Sequence, residues 1–404
     1  MTFYRKSKTP KTFDGGDTYV KLAQSPDGSH NILVDEELVK FFPSLEEPLC
    51  IVPFKGRLLS SHMLKESEVL VVRSVTSVCE ELLDGSKIKL VCSTTSGLDH
   101  IDKEFLKSSN IELVNAPGAN AIAVVEYIIF TILLYSLDVG KPFENFKIGV
   151  IGYGEIGSRL TKLLEELGLH VLVNDPPKKK YQKLNREHFS LEQIVSECDC
   201  LTVHVPLENE TEYPTMNLLD YELLKGVKDE ALIINSSRGN ILKESDLFVL
   251  LKKKPALKVA LDCWINEPKI DSFLARKIWQ STPHIAGATL ESKIRAVQKI
   301  MPAIYNYFGV YNNDIVLNKK NPVEKIQIKT ADLGFKKIID TVFPLMSISK
   351  NLQKKSKQNP SKLLPEDFDD LRTSSLGRRE LAHYWFTEDQ VVLNKIKKLL
   401  TEIA

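Results

Sequence analysis

The sequence predicts an α/β fold with a Rossmann-type parallel-sheet domain, a flavodoxin-like parallel-sheet domain and a small C-terminal α+β domain. Three observations carry that expectation. Apolar runs alternate with amphipathic, helix-like stretches from Asn31 to Asp262, the pattern of parallel strands covered by helices. A glycine-rich hexad, Gly152-Tyr153-Gly154-Glu155-Ile156-Gly157, falls between one such run and one such stretch. After Asn318 the character changes to lysine-rich loops and amphipathic pieces that continue to Ala404 without another phosphate-binding turn.

The elements follow in order. Residues 1–29 are basic at their start (Arg5, Lys6, Lys8, Lys11) but lack the apolar core of a signal peptide, and Asp14 with Gly15-Gly16-Asp17 argues against a transit helix. They are expected to form a flexible extension. Apolar runs at Asn31–Val34, Val69–Val72 and Lys89–Cys92, separated by helix-like Glu37–Phe42 and Glu104–Ser108, predict the flavodoxin-like domain over 30–117. Ala116-Pro117-Gly118 reads as a hinge. The longest apolar stretch, Ala121–Leu137, is interrupted by Glu126, is shorter than a typical membrane span and is opened by Asn120 as an N-cap, so it predicts a buried helix.

The second domain, 118–288, is expected to hold strands at Lys147–Ile151, at the run ending on Asp175, and at Leu201–His204, Ala231–Asn235 and Leu257–Asp262. Ile156, Leu160, Leu163, Leu164 and Leu167 share one face of a helix over Glu155–Gly168. Ser190-Leu191-Glu192-Gln193 is a capping-box pattern that starts another helix. Glu291–Phe308 is long and amphipathic, and returning to the first domain would complete it through 289–316. The remaining 317–404 are read as a small domain for subunit contact.

Bulk properties narrow the functional classes. The 404 residues allow two or three domains with proper cores. A net charge of +1 gives no argument for a nucleic-acid or membrane partner. Six cysteines are scattered, and the one close pair, Cys198 and Cys200, has no second pair or histidine set at zinc spacing. Buried reduced thiols, a cytoplasmic location and no metal are expected.

The hexad carries the first chemistry. Its glycines permit a tight turn and close approach of backbone to a pyrophosphate, while the helix start supplies free N–H groups and the positive end of the dipole. Asp175 can accept both hydroxyls of an adenosine ribose and would repel a 2′-phosphate, which favours NAD over NADP. Lys178, Lys179 and Lys180 follow at once and read as a solvated loop.

Three further residues stand where strands of the second domain should end. Arg238 follows the run to Asn235, Glu267 follows the run to Asp262, and His284 lies in Pro283-His284-Ile285-Ala286-Gly287. In an open parallel sheet, ligands bind at the carboxyl ends of strands, so the three converge on one cleft. Their chemistry suits oxidation of an alcohol next to a carboxylate. An imidazole takes the hydroxyl proton, a carboxylate fixes its tautomer, and a guanidinium holds the substrate carboxylate. Read singly, each is as readily a salt-bridge, capping or surface residue; their order after the hexad shifts the balance.

That order, with Asn120–Glu126 and His204-Val205-Pro206-Leu207, resembles the D-isomer-specific 2-hydroxyacid dehydrogenases over roughly 31–308. The resemblance implies the catalytic roles just described for Arg238, Glu267 and His284. It implies NAD contacts from Gly152, Gly154, Glu155, Ile156, Gly157, Asp175, Val205, Asp262 and Gly287. Ile32 to Glu36, Val72 to Thr76, Ala116 to Tyr127, Asp175-Pro176-Pro177, Phe368 to Arg372 and Arg378-Arg379-Glu380 are similar to one branch of that family, which acts on a phosphorylated 2-hydroxy acid of vitamin B6 synthesis and forms homodimers through its C-terminal domain. For this branch Ser74 and Thr95 are implied to contact substrate, with Thr94-Thr95-Ser96-Gly97 offering N–H groups to its carboxylate; turn-making is the alternative for both. Arg73, and Arg378 or Arg379 from a partner subunit, are implied for the distal phosphate. One departure stands out: Ala288 follows Gly287 where the branch commonly has a tyrosine. Other D-2-hydroxy acids, such as glycerate or 3-phosphoglycerate, and an NAD-sensing interaction protein remain alternatives.

Overall fold

The computed structural model describes residues 30–45, 48–181, 185–310, 326–330, 333–375, 377–387 and 390–403. The expected extension over 1–29, and residues 311–316 of the segment expected to complete the first domain, lie outside the described residues. Two parallel sheets dominate. The first has five strands, β1 (His30–Asp35), β2 (Leu49–Phe54), β3 (Val69–Val72), β4 (Leu90–Ser93) and β5 (Glu112–Asn115), in the order β2-β1-β3-β4-β5. This is the flavodoxin-like order. Every strand pair is parallel, and the central residues of β1, β3 and β4 are buried on both faces, as covering by helices requires.

The second sheet has six strands, β6 (Lys147–Ile151), β7 (His170–Asn174), β8 (Cys200–Val203), β9 (Leu232–Asn235), β10 (Lys258–Leu261) and β11 (Gln280–Ser281). Their order is β11-β10-β9-β8-β6-β7. Beyond β7, where a doubly wound nucleotide fold places its third strand, the Phe189 N–H donates to the Val173 carbonyl and the Phe189 carbonyl accepts from the Asn174 amide, with no strand among the described residues. The order of the sheet reverses between β6 and β8, so the crevice above that pair is where a ligand enters.

The Ala121–Val139 helix is long and apolar enough to cross a membrane, yet Ala121 to Tyr135 are buried inside the fold. It packs on the Glu155–Glu166 helix in a core shared with β6 and β7. Asn120 stands at its N-cap position, but its side chain does not cap the helix: Asn120 Oδ1 accepts a hydrogen bond from Ser96 Oγ at 3.2 Å instead. The expected cap is thus spent tying the helix start to the first sheet. At Ser190 the reciprocal capping box forms as the sequence predicts.

The Leu290–Tyr307 helix buries Ala296, Val297, Ile300, Met301 and Ile304 against one face of the first sheet. Further on, β12 (Ile326–Ile328) and β13 (Tyr384–Phe386) form a two-stranded parallel pair. The helices Phe335–Val342, Leu345–Gln358, Pro365–Ser374 and Val391–Ile403 lie around it. Their apolar residues join the two cores of the nucleotide sheet: Ile339, Phe343 and Leu400 on one side, Leu352, Leu363 and Phe368 on the other. The C-terminal segment is therefore fixed to the second sheet, and the Pro365–Ser374 helix carries Arg372 to the cleft.

Candidate active site

The hexad joins β6 to the Glu155–Glu166 helix, and each glycine answers a different steric demand. Gly152 has φ +94°, and a Cβ there would lie 2.7 Å from the His204 carbonyl at the end of β8. A Cβ on Gly157 would fall 1.9 Å from the Gly152 oxygen. Gly154 has open space above it, with nothing within 4 Å of a Cβ. Two glycines thus let strand ends and helix meet, and the third leaves the backbone bare where a pyrophosphate would approach. The first N–H groups of the helix point into the same opening.

Asp175 ends β7 beside that loop. Its Oδ2 accepts from Tyr153 N at 2.8 Å and its Oδ1 from Lys178 N at 2.9 Å, which holds the carboxylate in place. Lys178 is not solvated as the sequence suggests: its ammonium donates to the Tyr153 carbonyl and stands over the Tyr153 ring. Lys180 does lie in an exposed pair with Glu212. The bare glycine turn, the helix start and the ribose-side carboxylate together fit a dinucleotide, with Gly152, Gly154, Glu155, Ile156, Gly157 and Asp175 toward the adenosine and pyrophosphate, and Val205, Asp262 and Gly287 along the rest of the cleft.

A cleft of about 560 Å³ runs between the two sheets, and Ser74, Thr95, Ile156, Val205, Arg238, Asp262, Glu267, His284 and Gly287 all line it. Residues far apart in sequence meet there. His284 Nδ1 lies 2.7 Å from Glu267 Oε2, while Glu267 Oε1 accepts from Trp264 N at 2.7 Å. His284 sits in the left-handed region, φ 54°, a costly conformation for a non-glycine residue. Asp262 holds it there. Its carbonyl accepts from His284 N at 2.8 Å, and its carboxylate accepts from Ile285 N, Ala286 N and Thr282 Oγ1. The Asp262 carboxylate and carbonyl therefore brace the histidine turn.

Burial disfavours a charged imidazole at His284, but Cys263 and the Glu267 carboxylate outweigh it and hold the histidine well above its ordinary value. Burial likewise acts to raise Glu267, and His284 overcomes it to leave the carboxyl below the usual range. Part of both shifts is shared: each charge is favoured by the other.

Arg238 reaches across the cleft from the end of β9. Its Nε donates to Asp99 Oδ2 at 2.5 Å and its Nη1 to the Ser237 carbonyl at 2.7 Å. A Cβ on Gly97 would lie 1.7 Å from Arg238 Nη2, so the guanidinium rests on the 94–97 turn. Thr95 Oγ1 donates to the Gly97 carbonyl at 2.8 Å and pairs with Ser93 Oγ, so its hydroxyl shapes the turn as well as lining the cleft. His204 is buried beside β8, and burial lowers it to about 3, so it stays neutral.

The cleft also gathers cations. Arg57, Arg73, Lys293 and Arg372 line it together. Arg73 pairs with Asp35 at 2.9 Å and Arg57 with Asp369 at 2.8 Å, while Arg372 Nη2 donates to Ser74 Oγ at 3.4 Å. The Lys293 ammonium is buried with no hydrogen-bond partner, and burial with Arg73 nearby lowers it to about 8. Arg378 and Arg379, implied above for a phosphate, do not reach this cleft within the chain. They are engaged by Glu126 at 3.0 Å and Glu291 at 2.5 Å. Sequence reasoning missed Arg57, Asp99 and Lys293, and it quoted Arg372 only as part of a similar stretch. No local motif marks them, because their partners lie up to 312 residues away.

Residues 136–286 match the family model for the NAD-binding domain of D-isomer-specific 2-hydroxyacid dehydrogenases. The NAD⁺-bound 3-phosphoglycerate dehydrogenase of Entamoeba histolytica shares the fold at 24% identity, with a TM-score of 0.59 over 70% of this chain and 96% of that one. D-Lactate dehydrogenase of Aquifex aeolicus does so at 22% identity, TM-score 0.56, over 70% and 96%. The fold and the nucleotide loop are those of the NAD-dependent D-2-hydroxyacid dehydrogenases. The erythronate-4-phosphate dehydrogenase of Hahella chejuensis is 41% identical over 282 residues, 69% of this chain and 72% of that protein. Its counterpart in Escherichia coli O17:K52:H18 is 34% identical over 378 residues, 91% and 97%. Within the class, the chain belongs to the erythronate-4-phosphate dehydrogenase family.

Proposed function

We propose that this enzyme oxidises 4-phospho-D-erythronate at C2 to 2-oxo-3-hydroxy-4-phosphobutanoate, in the synthesis of pyridoxal 5′-phosphate. The observation that carries the reading is the gathering of Arg57, Arg73, Lys293 and Arg372 in the same cleft as the His284–Glu267 pair. A 2-hydroxy acid needs one cation for its carboxylate, and a distal phosphate accounts for the others.

Arg238 and the N–H groups of the 94–97 turn hold the substrate carboxylate. His284 takes the C2 hydroxyl proton, and Glu267 stabilises the imidazolium that forms. Bound NAD⁺ supplies the hydride acceptor. Ser74, Arg372 and Lys293 hold the phosphate, all from one chain. Asp175 selects the ribose diol, and Asp262 keeps His284 at the nicotinamide end.

The partition into 30–117 with 289–316, 118–288 and 317–404 is supported by the two sheets and the C-terminal pair. A homodimer through 317–404 is supported by the exposed Trp385 and Val391 of that segment. Six free cysteines, four of them buried, suit a reducing cytoplasm.

NADH formation from 4-phospho-D-erythronate, 3-phosphoglycerate and glycerate tests the reading. The first is expected to have the highest kcat/KM; preference for either of the others overturns it. His284→Ala should lower turnover about 10²-fold or more. Sedimentation of the full chain tests the dimer.

A further inference from the structure

Cys263, Glu267 and His284 present a ligand set that no stretch of sequence displays. Their ligating atoms, one thiol sulfur, one carboxylate oxygen and one imidazole nitrogen, all lie within 4.8 Å of one another. Four-coordinate zinc places such ligands roughly 3.3–3.6 Å apart, so closing the set draws the widest pair together by about an ångström and lengthens the 2.7 Å His284–Glu267 contact. Three protein ligands with one face open is the arrangement of a zinc site that keeps an exchangeable position.

The surroundings hold the set in place. Cys263 is buried behind the cleft, with Sγ donating to the Ser237 carbonyl at 3.2 Å, so the sulfur is held in one orientation. Glu267 and His284 line the cleft, and the open side of the set faces it. Three cations that line the cleft oppose an incoming ion: Asp99 pairs with Arg238, while Arg372, which acts on Glu267, and Lys293 must be outweighed by the ligands. The oxidation proposed above uses only Glu267 and His284, and gives the thiol no part.

We propose that Cys263, Glu267 and His284 form an inhibitory site for a soft divalent cation, with zinc the best match to a thiolate, carboxylate and imidazole set. The ion enters from the cleft and opens the 2.7 Å contact between His284 Nδ1 and Glu267 Oε2. Cys263 releases its thiol proton, and His284 the proton that its pair with Glu267 favours, to solvent as the metal bonds form, and no electron changes hands. A metal-bound imidazole has no lone pair left for the hydroxyl proton, so the enzyme stops. Binding itself does not depend on the substrate reading; the loss of activity does.

The test is titration of the full chain with Co²⁺, followed by displacement with Zn²⁺. The wild-type chain should take up one Co²⁺ with a sulfur-to-cobalt charge-transfer band in the near ultraviolet, and Zn²⁺ should remove that band. Cys263→Val and Cys263→Ser, each checked for folding by circular dichroism, should lose the band. Both should also bind Zn²⁺ at least 10–100-fold more weakly, since even partners outside the ligand shell are worth that much. Zn²⁺ should inhibit NADH formation by the wild-type chain, and a chelator should restore it. Absence of the band in the wild-type chain, or Zn²⁺ affinity unchanged in both variants, overturns the proposal. A wild-type chain that shows the band with Co²⁺ yet, freed of metal by a chelator, does not oxidise 4-phospho-D-erythronate leaves the metal site standing and removes the substrate reading.

Discussion

Arg378 and Glu126 form a buried ion pair, Nη1 to Oε2 at 3.0 Å, between the C-terminal segment and the long apolar helix. Arg378 Nη2 also donates to the Ala286 carbonyl at 3.0 Å, two residues beyond His284. The second oxygen of Glu126 accepts from Leu381 N at 2.6 Å. The pair therefore joins three pieces of chain, one of them the turn that presents the histidine. Removing one partner of a buried pair strands the other charge. Arg378→Met is expected to cost about 3–5 kcal/mol in denaturant unfolding, with the Arg378→Met, Glu126→Gln double variant recovering part of it. A loss below about 1 kcal/mol would show that the pair is solvated.

The His284–Glu267 pair sets the pH dependence. Oxidation needs a neutral imidazole, and His284 is held well above its ordinary value. The acidic limb of kcat/KM should therefore inflect above 6.5, with activity rising as pH rises through it. Glu267→Gln removes the supporting charge, so the inflection should move down while turnover falls by about 10²-fold or more. An unmoved inflection would assign the limb to another group. The same shifts govern stability. The raised His284 contributes below its ordinary value and loses that contribution as pH climbs through the raised one. The lowered Glu267 contributes above its ordinary value and loses that as pH falls.

If the phosphate lies where proposed, Arg372 is expected to separate phosphorylated from unphosphorylated substrates. A hydrogen bond to a charged group is worth about 1.5–3 kcal/mol, or roughly 10- to 150-fold. Arg372→Ala should raise KM for 4-phospho-D-erythronate by about that factor and leave glycerate oxidation nearly unchanged. Equal losses on both substrates would mean that Arg372 acts through Glu267, to which it is electrostatically coupled.

The adenosine end has its own variants. Asp175→Ala removes the acceptor of two backbone N–H groups as well as the ribose contact, so NAD binding should weaken and discrimination against NADP should relax. Cofactor titrations followed by fluorescence measure both. An unchanged preference would move the selectivity elsewhere, with Lys178 and Arg186, both over the Tyr153 ring, as the adjoining cations.

Ala288→Tyr restores the phenol common in the family. One added neutral hydrogen bond is worth about 0.5–1.5 kcal/mol, a gain of roughly 2- to 12-fold in KM. Steady-state kinetics on the variant decides whether the enlarged cleft is a handicap or suits a bulkier acid.

Much of this was legible in the sequence, and the gaps have physical causes. The Val69–Val72 run coincides with β3 because a strand buried on both faces is written as a continuous apolar stretch. In the two large sheets the strands that escaped, β2, β5 and β11, all lie at edges, where one side needs no partner. β2 even accommodates Pro53, which reads as a strand breaker. The alternation and the hexad led to the two sheets directly. Within the cleft, Arg238 and Glu267 stood out because each follows a recognisable run, and His284 because it stands in order after them. Arg57, Lys293 and Asp99 did not, because each looks like an ordinary surface charge until the tertiary contacts are known. Cys263 passed as a buried thiol, which it is; its nearness to Glu267 and His284 exists only in three dimensions.

Arg372 enters the cleft and Arg378 secures the histidine turn, and both lie in the last tenth of the chain. During synthesis the glycine loop, the carboxylate and the imidazole have all left the ribosome long before either arginine is made. The nucleotide sheet can fold at that stage, but the catalytic centre cannot be finished. Competence thus arrives only once Arg372 and Arg378 have been translated, so a chain cut short before them would lack a finished active site.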